Sequence, residues 1–306
     1  FHRAYDAALA EVRASAGRSY PLYIGGKALE VTRHDPIVDL SPIDTSLVLG
    51  TFVAASKEDV DLAIRTAKAA QKAWAARPWK ERIAILRRAA ELIRENGLFG
   101  VDFPEEHGGS GAGLLALIIV AEELSKVDAS VGLLPVGQEL GTLPILLAAS
   151  PEQKKKFLPP LATGEKLAAF ALTEASGGSD VAAFRCKAIR KGDFYILNGN
   201  KTFITNGGVG ETITVYALTD PAQGGHKGAS VFVVEKGTKG FSVGKHEDKL
   251  GIRSSDTVEL VFEDCPVPAE NLLAKEGLGF SIMMKTLDFS RPAVAAQALG
   301  IAAGAF

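Results

Sequence analysis

The sequence predicts an α+β protein with a helical region, an antiparallel β domain and a return to helix, on three observations. Apolar residues recur at helical spacing through most of residues 56–161. From Lys166 the pattern changes to short alternating runs, FYILNG, TITVYAL, ASVFVVE and TVELVFE, each bounded by Gly, Asn or Asp. After Pro266 helical spacing resumes in GFSIMMKTLDF and RPAVAAQALGIAAGAF and runs to Phe306 without a C-cap signal, as in a pattern cut short.

The chain has 306 residues, about two domains at a usual size of roughly 150. Its 47% hydrophobic content supports globular cores. Thirty-four basic residues against 36 acidic ones leave a net charge of −2, without the basic excess that phosphate neutralisation requires, so nucleic acid is not an expected partner. The most apolar run, Ala112–Ala121, is short of the roughly 20 residues that span a bilayer, so the expectation is a soluble protein without a membrane partner. Two cysteines, Cys186 and Cys265, cannot build a disulfide framework or a multi-cysteine zinc site. Cytoplasm is the expected compartment, with the mitochondrial matrix as the alternative.

The composition divides near Gly97. Residues 1–96 hold 15 basic and 12 acidic side chains, and the remainder 19 and 24, so net charge passes from +3 to −5. Tyr20–Val31, YPLYIGGKALEV, reads as a hairpin around Gly25-Gly26. From Ser56 to Ala75, Val60, Ile64, Ala67, Ala70 and Trp74 mark an amphipathic helix behind a Ser cap, and a second follows from Pro78 to Glu95. Further helices are expected at Leu114–Val127, Val131–Ala149 and Pro151–Leu161, the last with Ser150 as cap and Pro in its first turn.

Several chemistries are excluded on spacing. The cluster Gly108, Gly109, Gly111, Gly113 has Leu114 where a dinucleotide fingerprint needs its third glycine, and no strand leads into it. Histidines at 2, 34, 107, 226 and 246 form no i, i+4 metal pair. Cys186 sits in a β run and reads as an inert thiol. Two polar loops remain. LTEASGGSD, Leu172–Asp180, gathers hydroxyls, carboxylates and paired glycines, and is either a cradle for an anionic group or a plain Gly-Ser turn. KTFITNGG, Lys201–Gly208, places Phe203 beside Thr205 before a tight turn, fitting either a flat heteroaromatic ligand or ordinary core packing.

Taken together, FPEEHGGSG, ALTEASGGSD, KTFITNGG, LGIRSSDT and VFEDCPVPAENLL resemble the acyl-CoA dehydrogenase family over residues 97–306. The resemblance implies a helical domain at 97–165, an antiparallel β-barrel domain at 166–265 and, at 266–306, the start of a truncated carboxy-terminal helical bundle. It also implies FAD, an acyl-CoA substrate, electron transfer to an electron-transferring flavoprotein, and a homotetramer. By resemblance, Thr173 bonds the pyrimidine edge of the flavin, Ser179 its pyrophosphate or the substrate's pantetheine arm, and Thr205 the region of N5. Phe203 takes the place of the usual Trp. Ala175 and Gly177 depart from the family's common loop form, which predicts a looser loop.

Oxidising an acyl thioester requires a carboxylate to take the α proton as the β hydride leaves. The family places it mostly near the end of the final helical domain, so here it is expected beyond residue 306. At the alternative place stands Ser290, with Asp288 nearby pointing elsewhere. A catalytically silent flavin- or CoA-binding module is therefore the rival expectation. Acyl chain length would depend on residues 131–147, with Val136 and Gln138 as candidates. Residues 1–96, with the hairpin and the two helices, resemble the amino terminus of aldehyde dehydrogenases of the pyrroline-5-carboxylate dehydrogenase type. They carry neither a nucleophilic cysteine nor a nicotinamide fingerprint, so aldehyde oxidation is not expected.

Overall fold

The computed structural model describes residues 10, 13–14, 16–29, 35–41 and 44–305. Val31, His2, His34 and Phe306, which figure in the sequence reading, lie outside them. The chain forms two compact units, Phe1–Ala84 with Ala305–Phe306, and Ile85–Gly304.

In the first unit, β1 (Arg18–Tyr20) is followed by the expected hairpin of β2 (Leu22–Ile24) and β3 (Lys27–Leu29). Gly25 and Gly26 both have positive φ, 63° and 75°, the turn whose twist matches paired strands. Strands β4 (Ile37–Leu40) and β5 (Val48–Phe52) were not legible as strands; β5 lies between β4 and β1 in a three-stranded sheet. Helix α1 (Lys57–Ala76) starts at a full capping box, Ser56 and Asp59 each accepting the other's amide. Helix α2 (Trp79–Glu95) spans the boundary between the units.

The second unit opens with a turn-rich loop around buried Phe103. The glycines after it do not cradle a nucleotide: Gly109 and Gly111 donate to the carbonyls of Pro104 and Phe103, and Ser110 to that of Gly100, wrapping the loop on itself. Then come α3 (Gly113–Val127), α4 (Ala129–Ala148) and α5 (Pro151–Ala162). Helix α4 is long and apolar enough to cross a bilayer, which the ten-residue run considered in the sequence understates, but 56% of that window is buried inside the protein. It is a core helix.

Strands β6 (Ala168–Ala171), β7 (Lys187–Lys191), β8 (Phe194–Thr205), β9 (Thr212–Leu218), β10 (Ala229–Glu235), β11 (Phe241–His246), β12 (Thr257–Pro268) and β13 (Leu272–Leu273) form one sheet, ordered β11-β12-β8-β7-β9-β10-β13 with β6 beside β9. The expected closed barrel is not formed. β11 and β13 are edges that do not pair, and the two halves meet only where Lys187 of β7 opposes Leu218 of β9. The sheet is also not purely antiparallel, because β6 and β7 both run parallel to β9. What replaces closure is burial on both faces: all seven residues of β9 are buried. Ile213, Val215 and Ala217 pack with Leu197, Leu260 and Phe262 of the other half, whereas Tyr216 and Leu218 pack with Ile145, Phe157 and Leu161 of α4 and α5.

Helix α6 (Gly279–Ala305) runs unbroken through Pro292, joining the two helical stretches read in the sequence. It crosses α3 at Gly300 and Gly304, where an added Cβ would sit 2.2 Å from the Glu122 carbonyl and 2.0 Å from that of Lys126. No larger residue fits that approach.

Among the buried polar groups that lack a partner, two are carboxylates on or near the helical core. Both carboxylate oxygens of Glu139, on α4, are buried without a hydrogen-bond partner, as is one oxygen of Asp102. Burial, with the nearby Asp102 charge, pushes the Glu139 carboxyl up to about 8, and burial pushes Asp102 up to about 6. A raised acid pKa means the folded state holds a proton that the unfolded state has released. Stability from this group is therefore full below pH 4.5 and lost as pH rises to about 8. Glu139→Gln removes that slope: urea denaturation at pH 6, 7 and 8 should show the parent losing up to roughly 1.4 kcal/mol per pH unit relative to the variant. Parallel pH profiles would show that Glu139 is not protonated in the fold.

Candidate functional site

The two polar loops of the sequence lie side by side. LTEASGGSD leaves the end of β6, and KTFITNGG is the end of β8 with the turn beyond it. The Thr202 amide donates to the Thr173 carbonyl at 2.8 Å. Lys201 Nζ reaches back to the Leu172 carbonyl at 3.0 Å and to Glu174 Oε1 at 2.8 Å.

That ion pair was not anticipated. Lys201 is fully buried, with its ammonium 4.7 Å from the Phe184 ring centroid. The Glu174 carboxylate is saturated: Oε1 also accepts the Cys186 amide at 3.0 Å, and Oε2 accepts the Arg185 amide at 2.6 Å and the Ser176 hydroxyl at 3.3 Å. Burial pushes the Lys201 ammonium below its ordinary value, opposed by Glu174. Both residues lay inside the quoted motifs, but a charged residue in an alternating run reads as solvent-facing.

The loop itself is a tight reversal, with Glu174 and Gly177 exchanging amide–carbonyl hydrogen bonds at 3.1 Å. Gly177 does not loosen it as the sequence suggested: a Cβ there would meet the Asp180 carbonyl at 2.6 Å and Ala183 Cβ at 2.9 Å, so the turn requires glycine. A Cβ added to Gly178 would lie 3.6 Å from Thr173 Cγ2, so the exposed Ser179 follows a residue folded back onto Thr173.

Phe203 is 64% exposed and has φ 59°. The pairing of β8 with β12 shifts here, Ile204 facing Val258 but Lys201 facing Leu260, so Thr202 and Phe203 together oppose one residue. The bulge holds an aromatic residue in left-handed backbone and turns its ring out of the core. Such strained positions concentrate at binding and active sites. Thr205 is half-buried, its Cγ2 3.7 Å from where a Cβ on Gly137 of α4 would stand. The turn after it is anchored by Asp256 of LGIRSSDT, whose carbonyl accepts the Asn206 amide at 3.0 Å and whose Oδ2 accepts the Gly208 amide at 2.7 Å. The structure thus gathers Thr173, Phe203 and Thr205 at the ends of neighbouring strands, with Ser179 at the loop's outer edge.

Other sequence candidates fall elsewhere. Gln138 is a structural clamp, donating to the Leu161 and Lys166 carbonyls and accepting the Ala168 amide. Val136 is buried among Leu117, Ala121 and Ala293, so neither residue sets the depth of an acyl pocket. Ser290 is buried in α6 with its hydroxyl on the Leu287 carbonyl, and Asp288 is an exposed carboxylate paired with Arg291 at 2.8 Å. Cys186 and Cys265 are buried, and burial pushes both thiols up to about 11, so neither is a nucleophile. Among the described residues no group of His, Cys, Asp and Glu is placed to hold a metal.

Comparison with known proteins gives the family. Residues 56–165 match the acyl-CoA dehydrogenase N-terminal domain and residues 169–265 the acyl-CoA dehydrogenase middle domain. The chain belongs to the acyl-CoA dehydrogenase family. Helices α1 and α2, assigned by resemblance to an aldehyde-dehydrogenase-like segment, lie within that N-terminal match. A short-chain-specific acyl-CoA dehydrogenase of Clostridium acetobutylicum is 53% identical over 211 residues, 69% of this chain and 55% of that protein. The structure of butyryl-CoA dehydrogenase from Megasphaera elsdenii matches with a TM-score of 0.67 at 47% identity, covering 70% of this chain and 58% of that one. An acyl-CoA dehydrogenase from Bacillus anthracis complexed with FAD gives 0.64 at 40% identity, over 70% and 37% of the two chains. The chain thus spans little more than half the length of the curated relatives it matches.

Removing one member of the Lys201–Glu174 pair strands the other charge in the interior. Lys201→Met and Glu174→Gln should each cost about 3–5 kcal/mol in denaturant unfolding, and the double variant clearly less than their sum. Additivity of the two losses would show that the pair does not act as a unit.

Proposed function

We propose that this chain carries the flavin- and substrate-binding portion of a FAD-dependent acyl-CoA dehydrogenase. It would act on a short- or medium-chain acyl-CoA to give the 2,3-enoyl-CoA and pass electrons to an electron-transferring flavoprotein. The observation that carries this reading is the bulge that exposes Phe203 two residues before Thr205, on the strand end whose Thr202 amide binds the Thr173 carbonyl.

The residues fit a flavin. An exposed aromatic face held by strained backbone offers a stacking surface, and two threonine hydroxyls at adjacent strand ends offer donors to a ring's polar edge. Thr173 would hold the pyrimidine edge, Thr205 the N5 region, and Ser179 the pyrophosphate or the pantetheine arm of the substrate. FAD, when bound, supplies the acceptor for the β hydride. The Lys201–Glu174 pair and Asp256 act beneath these groups, fixing the strand ends so that the hydroxyls are set before a ligand arrives. Neither Ser290 nor Asp288 is disposed to take the α proton, so the base belongs to the part of the family fold that this chain does not span.

The proposal extends to a homotetramer, from the family resemblance, and to the cytoplasm as compartment, with the mitochondrial matrix as the alternative. The helical 97–165, β 166–265 and helical 266–306 stretches form the family's core. Of the aldehyde-dehydrogenase-like origin expected for residues 1–96, only the stretch ahead of residue 56 lies outside the family match, and there it rests on the resemblance alone.

Titration of the purified chain with FAD, followed by visible spectrum and flavin fluorescence, tests the reading. Binding is expected, and Phe203→Ala should weaken it about tenfold, the loss of one aromatic stacking contact. Anaerobic butyryl-CoA should perturb the bound-flavin band without full bleaching, because neither Ser290 nor Asp288 is disposed to act as the base. Full bleaching would locate a base within these residues. Absence of both flavin and acyl-CoA binding, also after a complete carboxy-terminal domain is supplied, would defeat the assignment.

A further inference from the structure

Val136 and Gln138 of α4 are taken up by the fold, but the residue between them is not. Gly137 is half-buried between these two buried neighbours. A Cβ built on it would lie 3.6 Å from Asn206 Nδ2 and 3.7 Å from Thr205 Cγ2. Apart from its chain neighbours and the helix backbone, no other heavy atom among the described residues would come within 4 Å. Both contacts are of ordinary van der Waals length, so the fold has room for a side chain here, pointing at the strand end that carries Thr205.

Two other glycines of α4 differ. A Cβ on Gly132 would strike Ser125 Oγ at 1.9 Å, and one on Gly141 would meet Ala168 Cβ at 2.7 Å and the Ala169 nitrogen at 2.8 Å, so close packing requires glycine at both. Glycine weakens a helix interior relative to alanine, and at 137 no packing contact calls for it. The gap is also held at a fixed width. Gln138, next in the helix, accepts the Ala168 amide at 2.9 Å, and Asn206, next after Thr205, donates through Nδ2 to the Ala168 carbonyl at 3.2 Å. Helix and turn therefore hang from one residue of β6.

We propose that Gly137 is a specificity-determining residue: the room above it receives a branch on the reacting carbons of the acyl group, so that thioesters branched at the α or β carbon are accepted beside straight-chain ones. This rests on the reading that Thr205 stands at the flavin N5 region. Hydride transfer needs the β carbon in near contact with its acceptor, which sets the α and β carbons beside Thr205. Gly137 borders the same space. A side chain at 137 would project into it and compete with a branch, whereas an unbranched chain leaves it unfilled.

Calorimetric titration of the FAD-loaded chain with butyryl-CoA, isobutyryl-CoA and isovaleryl-CoA tests it. Gly137→Val should weaken the branched esters at least about tenfold, the worth of one methyl group in a filled pocket, and butyryl-CoA less than about threefold. A loss confined to one branched ester would support the proposal and place the branch at that carbon. A second readout needs no ligand: Gly137→Ala should raise the ratio of folded to unfolded chain about threefold in urea, because alanine fits the space and favours helix. Destabilisation by Gly137→Ala would show the space already filled and overturn the proposal. Equal weakening of all three esters by Gly137→Val, or of none, would overturn it too, with the flavin assignment left standing. A parent chain that binds neither flavin nor any ester defeats that assignment, and this inference with it.

Discussion

The site rests on one buried ion pair. Lys201 projects from β8 and Glu174 from the loop after β6, which are joined by the ion pair and by the Thr202 amide on the Thr173 carbonyl. Taking an ammonium and a carboxylate out of water costs several kcal/mol for each, a cost offset only if every lone pair and proton is used. Here the carboxylate accepts from Lys201, from Ser176 and from two backbone amides, while the ammonium adds the Leu172 carbonyl and the Phe184 ring. A hydrophobic pair of similar volume could hold the two segments together as tightly. It could not orient the amides of Arg185 and Cys186, and so would leave the return of the loop undefined.

With the loop fixed, the strain at Phe203 becomes tolerable. An aromatic residue at φ 59° costs on the order of 1–3 kcal/mol, which a free strand end would relieve by slipping one residue in register. Slippage is blocked on both sides of the bulge. Lys201 is tied to Glu174 before it, and Asn206 and Gly208 are tied to Asp256 after it. The exposed ring is therefore a consequence of two buried or half-buried carboxylates acting on either side of it, and the hydroxyls of Thr173 and Thr205 inherit their positions from the same ties.

Much of this was legible in the sequence, and the failures have physical causes. The Ser56 cap, the Ser150-Pro151 start and the runs TITVYAL and ASVFVVE gave helices and strands at their observed places. Local pattern cannot say whether a sheet closes, because closure depends on whether β11 and β13 meet, two strands far apart in sequence. Strands such as β4 and β5 were missed because half-exposed short runs lack alternation. The four site residues stood in recognisable strings, but the pair supporting them did not stand out. Buried charge is invisible to periodicity, and Lys201 was as well suited on paper to solvent as to the interior. Gln138 failed in the reverse direction: a polar residue on an apolar helix suggested a ligand, and the structure uses it to clamp the start of β6.

On the proposed reading, the arrangement separates holding a ligand from transforming it. The ties that place Thr173, Phe203 and Thr205 lie between Ala168 and Leu260, within one sheet and the loops that join it. The proton-accepting step has no counterpart there. Ser290 spends its hydroxyl inside α6, and Asp288 is screened by Arg291 at the surface. A carboxylate active against a weakly acidic carbon needs partial desolvation and freedom from a neutralising partner, and Asp288 has neither. Glu139 has the burial that raises an acid, but it lies in the helical core, coupled to Asp102. On the proposed reading, the sheet by itself sets the binding groups, and neither Ser290 nor Asp288 adds the proton acceptor to them.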